Sequence, residues 1–250
     1  MSKKNIYLIS LVLLIVGCGD TNTTDSEGEG AIDLRTYLEK ESINKNYQLS
    51  NKNKEAILSN DYFTENITVS ETQIERKVFD IVNSITKISD KKLTNVEVSS
   101  EGSISTTYFR HLDIGDRLYT TDINKSKTLT VGLQEVGTRE TLGETTCKLS
   151  KQLEEFTNGS NTYSGDILKI KCTSTSTITT QIKDEFIGTV SYVNGKEDSI
   201  NINNVYLKKD IGMIALIDDN CLPSNANYVD DTADCSEGVK THSYLYYLGN

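Results

Sequence analysis

The run Asp166-Ile167-Leu168-Lys169-Ile170-Lys171-Cys172-Thr173-Ser174-Thr175-Ser176-Thr177-Ile178-Thr179-Thr180 decides how the rest of the chain is read. Asp166 to Thr175 reads as a strand. From Thr173 to Thr180 every residue is β-branched or hydroxylated and no helical period exists, a composition that favours extended backbone. On either side, Ile104 to His111, Lys127 to Val136, Thr145 to Phe156, Thr179 to Val193, Ser199 to Leu207 and Met213 to Ile217 read the same way. Turn formers stand between them: Asp113-Ile114-Gly115-Asp116, Asn158-Gly159-Ser160-Asn161, Asn194-Gly195-Lys196 and Lys209-Asp210-Ile211-Gly212. Asn194-Gly195 carries the clearest hairpin signal, because a type I′ turn needs positive φ at both central residues. Such short connections imply antiparallel neighbours, since parallel ones need long crossovers. With one proline in the chain, little blocks the hydrogen-bond ladders. The expectation is an all-β domain built as a large antiparallel meander sheet, in the form of a half-barrel or a sandwich.

The first part of the domain is less uniform. Ile32, Leu34, Tyr37 and Leu38 suit a short helix or an entering strand, while Asn44 to Ser50 and Asp61 to Ser70 alternate as strands do. Ser70 to Ile88 points both ways. Ile74, Val78, Ile81, Val82 and Ile85 recur at helical spacing, and Ser70-x-x-Gln73 resembles a capping box, so a short helix near 70–88 is one reading. Richness in Ile, Val and Thr, with Asp90-Lys91-Lys92 as a turn between strands Ser84–Ser89 and Leu93–Ser99, favours β. His242 to Leu248 (HSYLYYL) reads as the last strand, with Tyr244, Tyr246 and Tyr247 as core and rim packing.

The N-terminus carries a different message. Lys3 and Lys4 precede an apolar run from Ile6 to Val16, and Gly17 is the small residue before Cys18. That is the layout of a secretory signal peptide, and the run is too short to span a membrane as a helix. Ile15-Val16-Gly17-Cys18 resembles the lipobox of bacterial lipoproteins. The resemblance implies removal of residues 1–17 and lipid modification of Cys18 as the first mature residue, with the membrane contacted through the lipid anchor. Residues 18–30 would then form the lipidated cysteine and a tether (Gly19 to Gly30 has no apolar side chain), and 31–250 a single β-rich domain. Gly19, not an aspartate, follows Cys18, which by analogy with enteric bacteria points to the outer membrane.

Formal net charge is −10, and loss of Lys3 and Lys4 with the signal would make it −12. Such a charge argues against a nucleic-acid partner, which would require clustered Lys and Arg, and against electrostatic adhesion to anionic lipid. With Cys18 assigned to lipid, Cys147, Cys172, Cys221 and Cys235 remain, an even number suited to an oxidising compartment. Three pairings are open to these four, and short loops favour Cys147–Cys172 with Cys221–Cys235. No Cys-x-x-Cys motif occurs.

Catalytic signatures are absent: there is no G-x-S-x-G, H-E-x-x-H or phosphate-cradling glycine loop. His111 could pair with Asp113 or Asp116, but no nucleophile motif accompanies it. Glu154 and Glu155 are strand neighbours and point to opposite faces. Tryptophan is absent, which removes the usual sugar-stacking platform. The acidic segment Asp218 to Glu237 reads as a surface loop stapled by Cys221 and Cys235. Asp218, Asp219, Asp230, Asp231 and Asp234 could instead converge on calcium, although without EF-hand spacing. Tyr163 to Ile170, a turn into a strand, and Tyr206 to Met213 resemble segments of uncharacterised bacterial envelope proteins with a broad antiparallel sheet or half-barrel. The expectation is a non-enzymatic envelope lipoprotein that binds or scaffolds an envelope protein, or a carrier holding a lipid or lipoprotein on a concave apolar face. No cofactor or metal is expected.

Overall fold

The computed structural model describes residues 30–51, 62–99, 102–131, 134–158, 161–186, 189–221 and 239–247. Their extended runs are β1 (Ile32–Asp33), β2 (Ile43–Asn51), β3 (Tyr62–Val69), β4 (Gln73–Val78), β5 (Ile81–Ile88), β6 (Lys92–Ser99) and β7 (Gly102–Phe109). Then follow β8 (His111–Leu112), β9 (Arg117–Val131), β10 (Gln134–Asn158), β11 (Asn161–Phe186), β12 (Thr189–Lys208), β13 (Gly212–Cys221) and β14 (Val239–Tyr247). A 3-10 turn at Leu34–Tyr37 follows β1, so the entering segment is strand and helical turn in succession.

Twelve strands form one antiparallel sheet in the order β7-β6-β5-β4-β3-β2-β14-β13-β12-β11-β10-β9, and β1 pairs with β8 beside it. Each meander keeps sequence neighbours adjacent, and β14 joins the two by pairing with both β13 and β2. The sheet is not closed into a barrel. It curves until its end strands meet: the rings of Tyr108 on β7 and Tyr119 on β9 lie 6.3 Å apart. One apolar cluster fills the curve with Ile74, Leu93, Leu149, Leu168 and Ile170, drawn from both meanders. A second gathers Tyr47, Ile167, Tyr206, Ile214 and Tyr247.

The short strands expected over the second half merge. β10 and β11 run for 25 and 26 residues and pair from Asn158↔Asn161 to Gly137↔Ile182. Two turns expected from sequence lie inside strands. Asn194 and Gly195 sit within β12, opposite Gln181 and Thr180, and Gly195 does not take the left-handed backbone of a type I′ turn. The hairpin falls instead after Phe186↔Thr189, so the predicted strand Thr179–Val193 crosses it. The predicted strand Lys127–Val136 likewise crosses the β9–β10 hairpin, whose last pair is Gln134↔Val131. At Tyr163-Ser164-Gly165 the chain bulges within β11: the register slips between Leu153 and Glu155, and Gly165 takes φ +103°. By contrast, Asp113–Asp116 and Lys209–Gly212 turn as expected, with Gly115 at φ +98° and Gly212 at φ +80°.

The short helix near 70–88 is not formed. That segment is the β4–β5 hairpin, reversing at Phe79 and Asp80 with φ of 52° and 62°. The helical spacing came from two alternating strands placed either side of a two-residue turn, as the burial of Ile74, Arg76 and Val78 shows. Ser70 closes a turn, its hydroxyl bonding both N and O of Gln73, and does not cap a helix.

Cys147 and Cys172 stand directly opposite on β10 and β11 and are disulfide-bonded, both buried. The link closes a loop of sequence separation 25. Peptide mapping without reductant should recover Cys147 and Cys172 in one linked pair. Replacing both by alanine should cost about 3 kcal/mol in denaturant unfolding, and an unchanged midpoint would remove the bond from the account of stability.

Candidate functional site

The interior face of β2 to β6 sets charged and polar side chains among apolar ones, facing the apolar wall of β10 to β12. On β2 Lys45 occupies a position in phase with Ile43 and Tyr47, on β3 Glu65 is in phase with Ile67, and on β4 Arg76 lies between Ile74 and Val78. Register sets Lys45 opposite Glu65 and Arg76 opposite Ile67. All three side chains are buried, as is Glu39, which enters just after the 3-10 turn. The Glu39 carboxylate accepts from Lys45 Nζ at 2.9 Å and from Arg76 Nη2 at 2.6 Å. Arg76 Nη1 donates to Thr86 Oγ1 at 3.0 Å, and Thr86 Oγ1 to Asn95 Oδ1 at 3.3 Å. Lys45 Nζ and Tyr47 Oη both donate to the Met213 carbonyl.

Two buried acids thus face two buried bases, and the fields decide their states. Burial pushes the Glu39 carboxyl up, but Arg76 and Lys45 outweigh it and hold the group down at about 2. Burial pushes Glu65 above its ordinary value against the opposing pull of Arg76. Burial draws Lys45 down, with Glu39 opposing, whereas the carboxylates overcome burial at Arg76 and raise it. Gly212 completes the arrangement: its positive φ favours glycine, and a Cβ there would collide with the Glu39 carboxylate. A cavity of about 60 Å³ remains between this cluster and the apolar wall of Ile170, Val205 and Leu207. It is large enough for a few waters.

The plug that carries Glu39 is held at several points. Asp33 takes Arg110 in a two-point pair, Nε at 2.7 Å and Nη2 at 2.6 Å. Leu34 N donates to Arg110 O, and Asp210 N to Thr36 O.

The residues singled out by sequence are dispersed. His111 lies on β8, and its Nε2 is 3.9 Å from Asp33 Oδ2. Asp113 instead accepts from Ala31 N, and Asp116 accepts from Asp113 N. Glu154 and Glu155 are exposed at the β10 bulge. Cys221 ends β13, while Cys18, Cys235 and residues 222–238, with Asp230, Asp231 and Asp234, lie outside the described residues. Asp218 and Asp219 are strand residues of β13, paired with Asn203 and Ile202. Among the described residues no three His, Cys, Asp or Glu side chains are grouped to hold a metal. The ionic cluster was missed by sequence reading. Its signal is single charges in phase with apolar neighbours on successive strands. An open depression of about 320 Å³ also lies on the long strands, where Thr177 Oγ1 donates to Asp198 at 2.7 Å.

Comparison with protein-family models, with curated proteins and with solved structures finds no match.

Two outcomes follow for stability. Glu39→Gln should cost about 3–5 kcal/mol, because it leaves Lys45 and Arg76 buried without their anion. With wild-type Glu39 near 2 when folded, that stabilisation is complete above the ordinary carboxylate range and fades as pH falls from about 4.5 towards 2. Glu97 on β6 works in the other direction. Burial raises it to about 8, so the folded chain holds a proton that the unfolded chain has released, and stability declines as pH rises from about 4.5 through 8. Glu97→Gln should therefore flatten the melting temperature between pH 5 and 9, and a slope equal to wild type would overturn this assignment.

Proposed function

We propose that this chain is a cell-envelope lipoprotein with a non-enzymatic binding or scaffold role. Residues 1–17 are removed, Cys18 carries lipid, and residues 19–30 tether the β domain to a membrane, by analogy the outer one. The acidic charge fits a domain held by acyl chains without basic contacts to lipid or nucleic acid.

The observation that carries the binding role is the edge strand β9. It spans fifteen residues and, among the described residues, is hydrogen-bonded to β10 alone. From Asn124 to Thr128 its side chains are exposed on both faces. An edge in this state offers main-chain donors and acceptors to an extended segment of a protein partner, which would add as one more strand. Lys125 and Lys127 guard the same edge against indiscriminate pairing. The carrier alternative is less well supported, because a ligand chamber of that kind needs roughly 300–1,000 Å³ and the interior cavity holds about 60 Å³.

Two measurements test the reading. Cys18→Ser should abolish fatty-acid labelling and move the protein from the membrane to the soluble fraction; unchanged partition would refute the anchor. Photo-crosslinking groups at Asn124 and Ser126 should give one discrete adduct in native envelopes, and a group at Glu154 none. Equal labelling at all three positions would remove β9 as the docking edge.

A further inference from the structure

The two long strands at the free edge sort their charges by face. Register between β9 and β10 runs unbroken from Cys147↔Tyr119 to Gly137↔Leu129. Side chains in phase with the buried Thr121 and Thr145 therefore lie on the concave side along that whole length. Lys125 and Lys127 of β9 and Arg139 of β10 hold this phase, and Lys127 stands directly opposite Arg139. The other phase carries Asp122 on β9 and Glu135, Glu140 and Glu144 on β10, with Glu144 directly opposite Asp122. Beyond Thr121 and Thr145, the concave side of this pair of strands holds three cations and no acid, the convex side four acids and no cation. The three cations are exposed, and among the described residues none has an ion-pair partner. Like charges set directly opposite, as at Lys127 and Arg139, repel one another, and an anion arriving alongside relieves them. The seam with β7 lies lower on β9, where Tyr119 meets Tyr108, so both lysines stand above it on the exposed stretch.

This sorting specifies what can dock. A strand added to β9 turns alternate side chains to the two faces. Its residues aligned with Lys125 and Lys127 are two apart and share the concave side, where carboxylates meet three cations. The residue between them aligns with Ser126, which is paired with Glu140, and an acid there is repelled. A slip of one residue would move every acid of the guest to the convex side, beside Glu135, Glu140 and Glu144, so charge fixes both its facing and its register. A second copy of this chain is the wrong guest: antiparallel self-pairing about Ser126 sets Lys125 against Lys127.

We propose that the β9 edge takes an extended protein segment with acidic side chains at alternate positions and neutral or basic ones between them. The proposal rests on the edge-docking role stated above and adds the chemistry of the partner to it.

The test is calorimetric titration of the full-length protein, purified from cell envelopes, with three capped octapeptides. One alternates Thr with Glu, one alternates Thr with Gln, and one repeats Thr-Thr-Glu-Glu, which keeps the charge of the first but divides its acids between the faces. Saturable binding of the Thr-Glu peptide is expected, with the other two weaker by about fivefold or more. Lys125→Glu combined with Lys127→Glu alters two exposed side chains, and thermal melting checks its folding. That variant should bind the Thr-Glu peptide about tenfold more weakly and gain binding of a peptide alternating Thr with Lys. Equal binding of the Thr-Gln peptide would overturn the proposal while leaving edge docking intact. Equal binding of the Thr-Thr-Glu-Glu peptide would reduce the effect to unsided attraction of anions and overturn it too. So would a double variant that binds as wild type, or a crosslink from Asn124 to a second copy. If no peptide binds but Asn124 still gives its discrete adduct in envelopes, the partner chemistry alone is refuted; if that adduct is also missing, the edge role falls with it.

Discussion

Everything inside the curve of the sheet is arranged around one carboxylate, that of Glu39. It arrives on the plug segment, not on the sheet, and is gripped by Lys45 of β2 and Arg76 of β4. A buried ion pair gains little over a well-packed apolar pair, because desolvation cancels much of the attraction. Its value here is positional. Leu34, Tyr37 and Leu38 pack into the apolar cluster, and Glu39 just beyond them reaches both cations where Gly212 leaves room for its carboxylate. Charge thus supplies the register that apolar packing by itself leaves loose.

The same cluster divides the interior. Leu149, Leu168, Ile170 and Val205 give the β10–β12 wall an ordinary apolar surface, whereas the β2–β6 wall mixes Ile67, Ile74 and Leu93 with Lys45, Glu65, Arg76, Thr86 and Asn95. Burying these ions is tolerable only because each is hydrogen-bonded to another buried group.

How much of this was legible in the chain depends on which scale is asked about. The class was legible because Thr173 to Thr180 has no helical solution, and the cysteine pair was legible because Cys147 and Cys172 lie close in sequence within strands that read clearly. Boundaries were not. Asn194-Gly195 is permissive for a turn but does not compel one, and a ladder already continuing from Cys172 through Thr180 outweighs local preference. The β4–β5 hairpin fooled the eye in the opposite sense, because its two strands are short enough that their combined pattern imitates a helix. The buried site was hidden for a simpler reason. Isolated Glu, Lys and Arg residues are almost always at the surface, and nothing local distinguishes Arg76 from its half-buried neighbours Glu75 and Lys77 except that it shares the phase of Ile74 and Val78.

The position of β14 carries a consequence for how the molecule comes into being. The sheet's free edges lie mid-chain, at β7 and β9, while its centre is the junction of an early strand with the last one. Each meander can assemble from hairpins as it emerges, since every other ladder of the twelve-stranded sheet joins sequence neighbours. The central seam cannot: β2 must wait, one flank bare, until residues 239–247 have been made. During that interval the half-sheet is an open template for any stray strand, so timely delivery of the final segment is a condition of reaching the native state without aggregation.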